Sequence, residues 1–146
     1  MDASTLVVGL DGSEACQRVL DFAKTQAGAM GGARMVVCYV IEWSPFSFQT
    51  AEENERRHKR REEEIDVARE RVLDPALQGL RAEGVEVEGI VRHGDVADIL
   101  VKLAKERGAA QIVIGRVGSR GLAERVFGGV SGRLVGGADV PVTIVP

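Results

Sequence analysis

The residues whose types and spacing could do chemistry lie late in the chain. Gly115-Arg-Val-Gly118 is followed by nine residues, Ser119 to Phe127, and then by Gly128-Gly129-Val130-Ser131. Just upstream, Ala110-Gln-Ile-Val-Ile114 is an apolar run that reads as a buried strand. A strand that empties into a glycine loop and then a helix is a way to hold a phosphate. Glycine lets the backbone come close to the ligand, and N–H groups without helical partners point at its oxygens. The donors would be the backbone N–H of Gly118 and those from Gly128 to Ser131, with Arg116, Arg120 and Arg125 available to add charge. The competing reading is plainer: Gly115, Gly118 and Gly128 are loop and packing glycines in a chain that has 18, and the arginines are solvated. Asp11, which ends an apolar strand near the N-terminus, is a second candidate; it reads equally as a turn carboxylate accepting nearby N–H bonds.

The elements that must position these residues follow an alternating rhythm. Residues 5–10 are a short apolar strand closed by Asp11-Gly12-Ser13, and Ser13 suits the N-cap of a helix with Ala15, Val19, Leu20, Phe22 and Ala23 at helical spacing. Arg34 to Ile41 is a second continuous apolar run, of the kind found in parallel sheets covered on both faces. The connector Glu42 to Thr50 holds Trp43, Phe46 and Phe48, and reads either as a loop burying its own aromatics or as a flap over a ligand or partner. From Ala51 a charge-dense helix begins, with Glu52–Arg56, Glu53–Arg57 and Glu55–Lys59 as i,i+4 pairs; eight acids and seven bases between Glu52 and Arg71 mark a solvated face. Its apolar positions start at Ile65 and run through Ala68, Val72, Ala76 and Leu80, and Asp74-Pro75 predicts a kink or a restart with Asp74 as cap and Pro75 as the first helical residue. Val85 to Val91 alternates like an edge strand, and Asp95-Val-Ala-Asp98 offers a cap for a helix with Ile99, Leu100, Leu103 and Ala104 inward. Gly108 stops that helix, the Gln111–Ile114 strand follows, and Val140 to Val145 is the last strand, with Pro141 and Pro146 suited to an edge. Five strands alternating with helices give a doubly wound α/β sheet in one domain spanning 1–146.

Composition narrows the function classes. A net charge of −3 with no block of positive charge argues against nucleic acid. No apolar run reaches the ~18–20 residues of a membrane span, and nothing at the N-terminus reads as a signal peptide. Cys16 and Cys38 have neither a zinc nor a redox spacing, so they read as two reduced thiols and the expected place is the cytoplasm. Walker A, GxGxxG and G-x-S-x-G motifs are absent, as is metal-ligand spacing. His58 lies in the charged helix and His93 at a strand end; His93, the one near an active face, reads first as structural, so no catalytic base or nucleophile is identifiable.

Gly115-x2-Gly118-x9-Gly128 resembles the nucleotide-binding signature of the universal stress protein family, Gly-x2-Gly-x9-Gly-Ser/Thr. Val7-Val-Gly-Leu-Asp11-Gly-Ser13 and Val140-Pro-Val-Thr-Ile-Val145 extend the resemblance over nearly the whole chain. One position departs: Gly129 stands where nucleotide-binding members carry Ser or Thr, and a hydroxyl returns only at Ser131. The resemblance implies a Rossmann-like sheet of five mainly parallel strands in the order 3-2-1-4-5, similar to adenine nucleotide alpha hydrolases. That order makes the chain reverse direction between strands 1 and 4, where ligands of open α/β sheets bind. It also implies ATP or another adenine nucleotide, with or without magnesium, with Asp11 on the adenosine half and main chain near Leu10 and Val40 lining the base pocket. Gly115, Gly118, Gly128, Gly129, Val130 and Ser131 would then take the phosphates. A homodimer through the last strand, at Val140, Val142 and Ile144, is implied as well. The expected role is a stress-response protein that binds the nucleotide as a signal; the alternatives are a nucleotide-free dimeric interaction protein and a slow nucleotide hydrolase.

Overall fold

The computed structural model describes residues 4–10, 16–42, 51–115 and 130–146. Strands β1 (Thr5–Leu10), β2 (Arg34–Glu42), β3 (Val87–Gly94), β4 (Gln111–Gly115) and β5 (Val142–Val145) form one sheet in the order β3-β2-β1-β4-β5. Every neighbouring pair is parallel. The order expected from the family resemblance is the observed one.

Alternation along the strands divides the core between two helical layers. Leu6, Val8, Leu10, Met35, Val37 and Val113 face one side, against α1 (Cys16–Ala29) and the long α2–α3 segment. Val7, Val36, Cys38, Val40, Ile112 and Ile114 face the other, against α4 (Val96–Arg107) and Leu134 of α5 (Val130–Gly137). This two-sided burial is why β1, β2 and β4 read as unbroken apolar runs. It also sets Cys16 and Cys38 on opposite faces of the sheet, and neither is in a disulfide.

Helix α2 (Ala51–Ala68) does not restart at Asp74-Pro75. It passes through a π-helical turn, Arg69–Leu73, directly into α3 (Asp74–Ala82). Asp74 keeps helical angles, makes no cap as expected of it, and its N–H donates to Arg69 O, five residues back. Pro75 has no N–H to offer its own preceding turn, and the wider π turn absorbs that loss. The extra residue also shifts the buried stripe. The step from Ala68 to the next buried residue is five, to Leu73, and Leu77 and Leu80 follow, so the expected Val72 and Ala76 are only half-buried. Phe22, expected inward on α1, is 37% exposed, and Ala27 takes the place in the core.

The two sheet edges differ. The β2–β3 register turns the backbone groups of Val87 and Gly89 outward. Arg81 donates to Val87 O and Arg69 to Gly89 O, so arginines from the helical layer occupy that edge. β3 is longer at its end than expected and begins later, Val87–Gly94 rather than 85–91. At the far edge β5 starts at Val142, not Val140, because Pro141 contributes only its carbonyl, which accepts from Ile112 N–H at 2.9 Å.

Candidate functional site

The parallel register fixes what meets at the carboxyl end of the sheet. β1 pairs with β4 through Leu6–Gln111, Val7–Ile112 and Val8–Val113, and two further residues bring Leu10 level with Gly115. Leu10 also lies opposite Tyr39 in β2, which sets Val40 one residue further on. From this point the chain leaves in opposite senses. The helix after β1, α1, packs on one face of the sheet, whereas the helix after β4, α5, packs on the other. Such a reversal leaves a crevice above the strand ends.

Leu10 and Val40 are buried at 4% and 5% exposure, so what they offer a ligand is main chain and an apolar wall. Gly115 is half-buried and is the last residue of β4, paired with Val145. Val130 and Ser131 form the first turn of α5, which carries no acidic residue there. No acidic side chain in that turn opposes the positive end of a helix dipole. Asp11, Arg116, Gly118, Arg120, Arg125, Gly128 and Gly129 lie outside the described residues, as does the connector at 43–50.

Two helices frame this end of the sheet, and a single carboxylate joins them. Asp95, in an extended conformation, is the N-cap of α4: its Oδ2 accepts from Asp98 N–H at 3.0 Å. Its Oδ1 accepts from Arg133 Nη1 on α5 at 2.5 Å. Partial burial pushes the Asp95 carboxyl up, but the Asp98 N–H bond and the Arg133 guanidinium outweigh it and hold the group below the usual carboxylate range. A second pair, Lys105 with Asp139 at 3.4 Å, ties the other end of α4 to the turn after α5. At its C-terminus α4 stops at Gly108, whose φ of 59° is the left-handed cap conformation that glycine accepts freely. The capping role of Asp95 was legible from spacing; its link to Arg133, 38 residues away, left no mark in the sequence.

His93 is not part of the crevice. It ends β3, two strands from β1, and its Nε2 lies 3.0 Å from Glu64 Oε2 of α2 with the imidazole side chain 11% exposed. Among the described residues no cluster of His, Cys, Asp and Glu could hold a metal, and no helix is long and apolar enough to cross a membrane. A separate groove of about 510 Å³ runs between β2 and α2 on the α1 side, lined by Tyr39, Ile41, Val67 and Val72 and rimmed by Arg60 and Glu64.

Comparison with known proteins agrees with this architecture. Over 75 residues the chain is 35% identical to the universal stress protein YxiE of Bacillus subtilis strain 168; the match covers 51% of each, so the chain spans about half the length of that relative. A universal stress protein solved in complex with cAMP is 26% identical, with a TM-score of 0.70 over 99% of this chain and 98% of the other. One from Archaeoglobus fulgidus in complex with dAMP is also 26% identical, with a TM-score of 0.65 over the full length of both. The model of the universal stress protein family matches residues 3–146, and the chain belongs to that family.

Proposed function

We propose that this universal stress protein binds an adenine nucleotide in the crevice above Leu10 and Gly115, with the phosphates toward the start of α5. The observation that carries the reading is the reversal between β1 and β4, which levels Leu10 with Gly115 and sends α1 and α5 to opposite faces. Immediately after Gly115 come the glycines whose spacing suits close backbone approach to phosphate. That similar proteins were solved with cAMP and with dAMP supports an adenine ligand. Within that class the resemblance to the family signature favours ATP, with or without magnesium beside its phosphates, as the proposed ligand. In this reading Asp11 and the main chain at Leu10 and Val40 hold the adenosine half, and Gly118, Gly128, Gly129, Val130 and Ser131 donate to phosphate. Arg116, Arg120 and Arg125 supply charge. The role is that of a cytoplasmic signal-binding protein in the stress response.

Assembly belongs to the same proposal. The β4–β5 register leaves the backbone groups of Val142 and Ile144 facing the open edge, while arginines occupy the edge of β3. One open edge favours pairing with a second copy about a two-fold axis, which closes the assembly. One observation favours the nucleotide-free reading: Gly129 has no hydroxyl for a phosphate oxygen. Calorimetric titration of ATP, ADP, AMP and cAMP into protein stripped of nucleotide separates the two. Saturable one-to-one binding of at least one of them is expected. Flat titrations with all four, in a folded dimer, would leave the interaction-protein reading in place.

A further inference from the structure

We infer that Asp95 and Arg133 are positioning residues for the phosphate end of this site: they lock the first turn of α5 against the N-terminus of α4. The inference rests on the nucleotide reading above and concerns how that same site is held in shape. Asp95 divides its two oxygens between two helices, Oδ2 to its own cap at Asp98 N–H and Oδ1 to Arg133. Side chains on a helix lean toward its N-terminus, so the Arg133 guanidinium lies beside the turn that holds Val130 and Ser131. The next residue, Leu134, is fully buried in the core on the α4 side. Adjacent residues of α5 therefore make two of its attachments, one apolar and one ionic. Arg133 is also the sole cation between Val130 and Gly137, so no neighbouring side chain of α5 can replace it.

This arrangement carries a consequence that a surface ion pair of no function would not. The helix start supplies the N–H donors, and their value to an anion depends on where they point. Releasing the lock lets the first turn move relative to β1 and β2, where the adenosine half would sit. Affinity for a nucleotide triphosphate then falls while affinity for adenosine, which does not reach α5, stays the same. Asp95→Asn is the informative variant because Asn caps a helix as well as Asp does. It keeps the bond from Asp98 N–H through its one amide oxygen and replaces the oxygen that accepts from Arg133 with an uncharged NH2 donor. It also removes a negative charge from the phosphate end, which by itself would tighten ATP binding. A loss of affinity in Asp95→Asn therefore reports position and not net charge.

The experiment is calorimetric titration of ATP and of adenosine into wild type, Asp95→Asn, Arg133→Gln, the double variant and Arg133→Lys, with thermal unfolding of each. ATP affinity should fall about three- to tenfold in each of the two single variants, and the double variant should be no worse than the poorer single one, as coupled partners behave. Adenosine affinity should be unchanged in all, and Arg133→Lys should recover part of the loss. ATP binding by Asp95→Asn that equals or exceeds that of wild type would overturn the inference and leave the nucleotide reading intact. So would equal losses for ATP and adenosine, which indicate general loosening. A wild type that binds neither ligand overturns the nucleotide reading and this role with it.

Discussion

Replacing Gly9 with Ala places a methyl group where Leu100 of α4 lies against β1. A Cβ on Gly9 would stand 2.7 Å from Leu100 Cδ1 and 3.3 Å from both Leu100 Cδ2 and Ile114 Cγ2. Carbon atoms pack best at about 3.5–4.0 Å, so Leu100 must retreat by roughly 0.8 Å. It has no room to do so cheaply, being fully buried in the core on the α4 side. Overpacking of this kind costs about 1–3 kcal/mol. The smaller freedom of Ala in the unfolded chain offsets about 0.4–1 kcal/mol, since the φ of Gly9 is not positive and Ala accepts the backbone. Gly9→Ala should therefore lower stability by up to about 2.6 kcal/mol in urea unfolding at unchanged m value. Leu100→Ala alone should cost about 2–5 kcal/mol. Combined, the two should cost less than their sum by about 1 kcal/mol, because the new methyl group fills part of the cavity. A Gly9→Ala variant more stable than wild type, or strict additivity in the double variant, would refute the close approach of α4 to β1.

Burial pushes the Cys38 thiol up to about 11, with the Arg92 charge working the other way, so the unfolded chain releases its thiol proton first as pH rises. Wild type should lose stability relative to Cys38→Ala between about pH 9 and about 11, measured by urea unfolding; a difference that does not change with pH would contradict this. Ile144→Pro removes an edge-facing N–H while sparing the β4–β5 ladder, and should convert the proposed dimer to monomer in light scattering at micromolar concentration. A variant that stays fully dimeric would place the interface elsewhere. Gly129→Ser restores the hydroxyl of the family signature and should strengthen ATP binding by about 1.5–3 kcal/mol in calorimetry; affinity that stays level or falls would mean that Ser131 fills the role or that the site needs glycine.

Particular residues show what the sequence could and could not convey. Leu6 to Val8, Met35 to Cys38 and Ile112 to Ile114 read as buried strands because parallel strands covered on both faces need apolar residues at every position. Helix α4 was legible at both ends, from Asp95 at its cap to Gly108 at its stop, since capping is local chemistry. The segment from Ala68 to Leu80 was misread because a helical period of 3.6 assigns the stripe to Val72 and Ala76, whereas a π turn inserts one residue and buries Leu73 and Leu77. No local pattern fixes strand order; that expectation came from resemblance, and the sheet agrees with it. Of the candidate site, the strand register brings Leu10, Val40 and Gly115 to the same end of the sheet; that they and the start of α5 hold a ligand is the proposal. Contacts between distant residues, Asp95 with Arg133 and His93 with Glu64, depend on how helices dock and have no spacing to betray them.

Nucleotide binding in the crevice is tested most directly by a crystal structure of the protein grown with ATP and magnesium. Nucleotide density is expected between Leu10 and Gly115, with the base against main chain at Leu10 and Val40 and the phosphates beside Val130 and Ser131 at the start of α5. Density confined to the groove of Tyr39, Ile41, Val67 and Val72, or an empty crevice at saturating nucleotide, would contradict it.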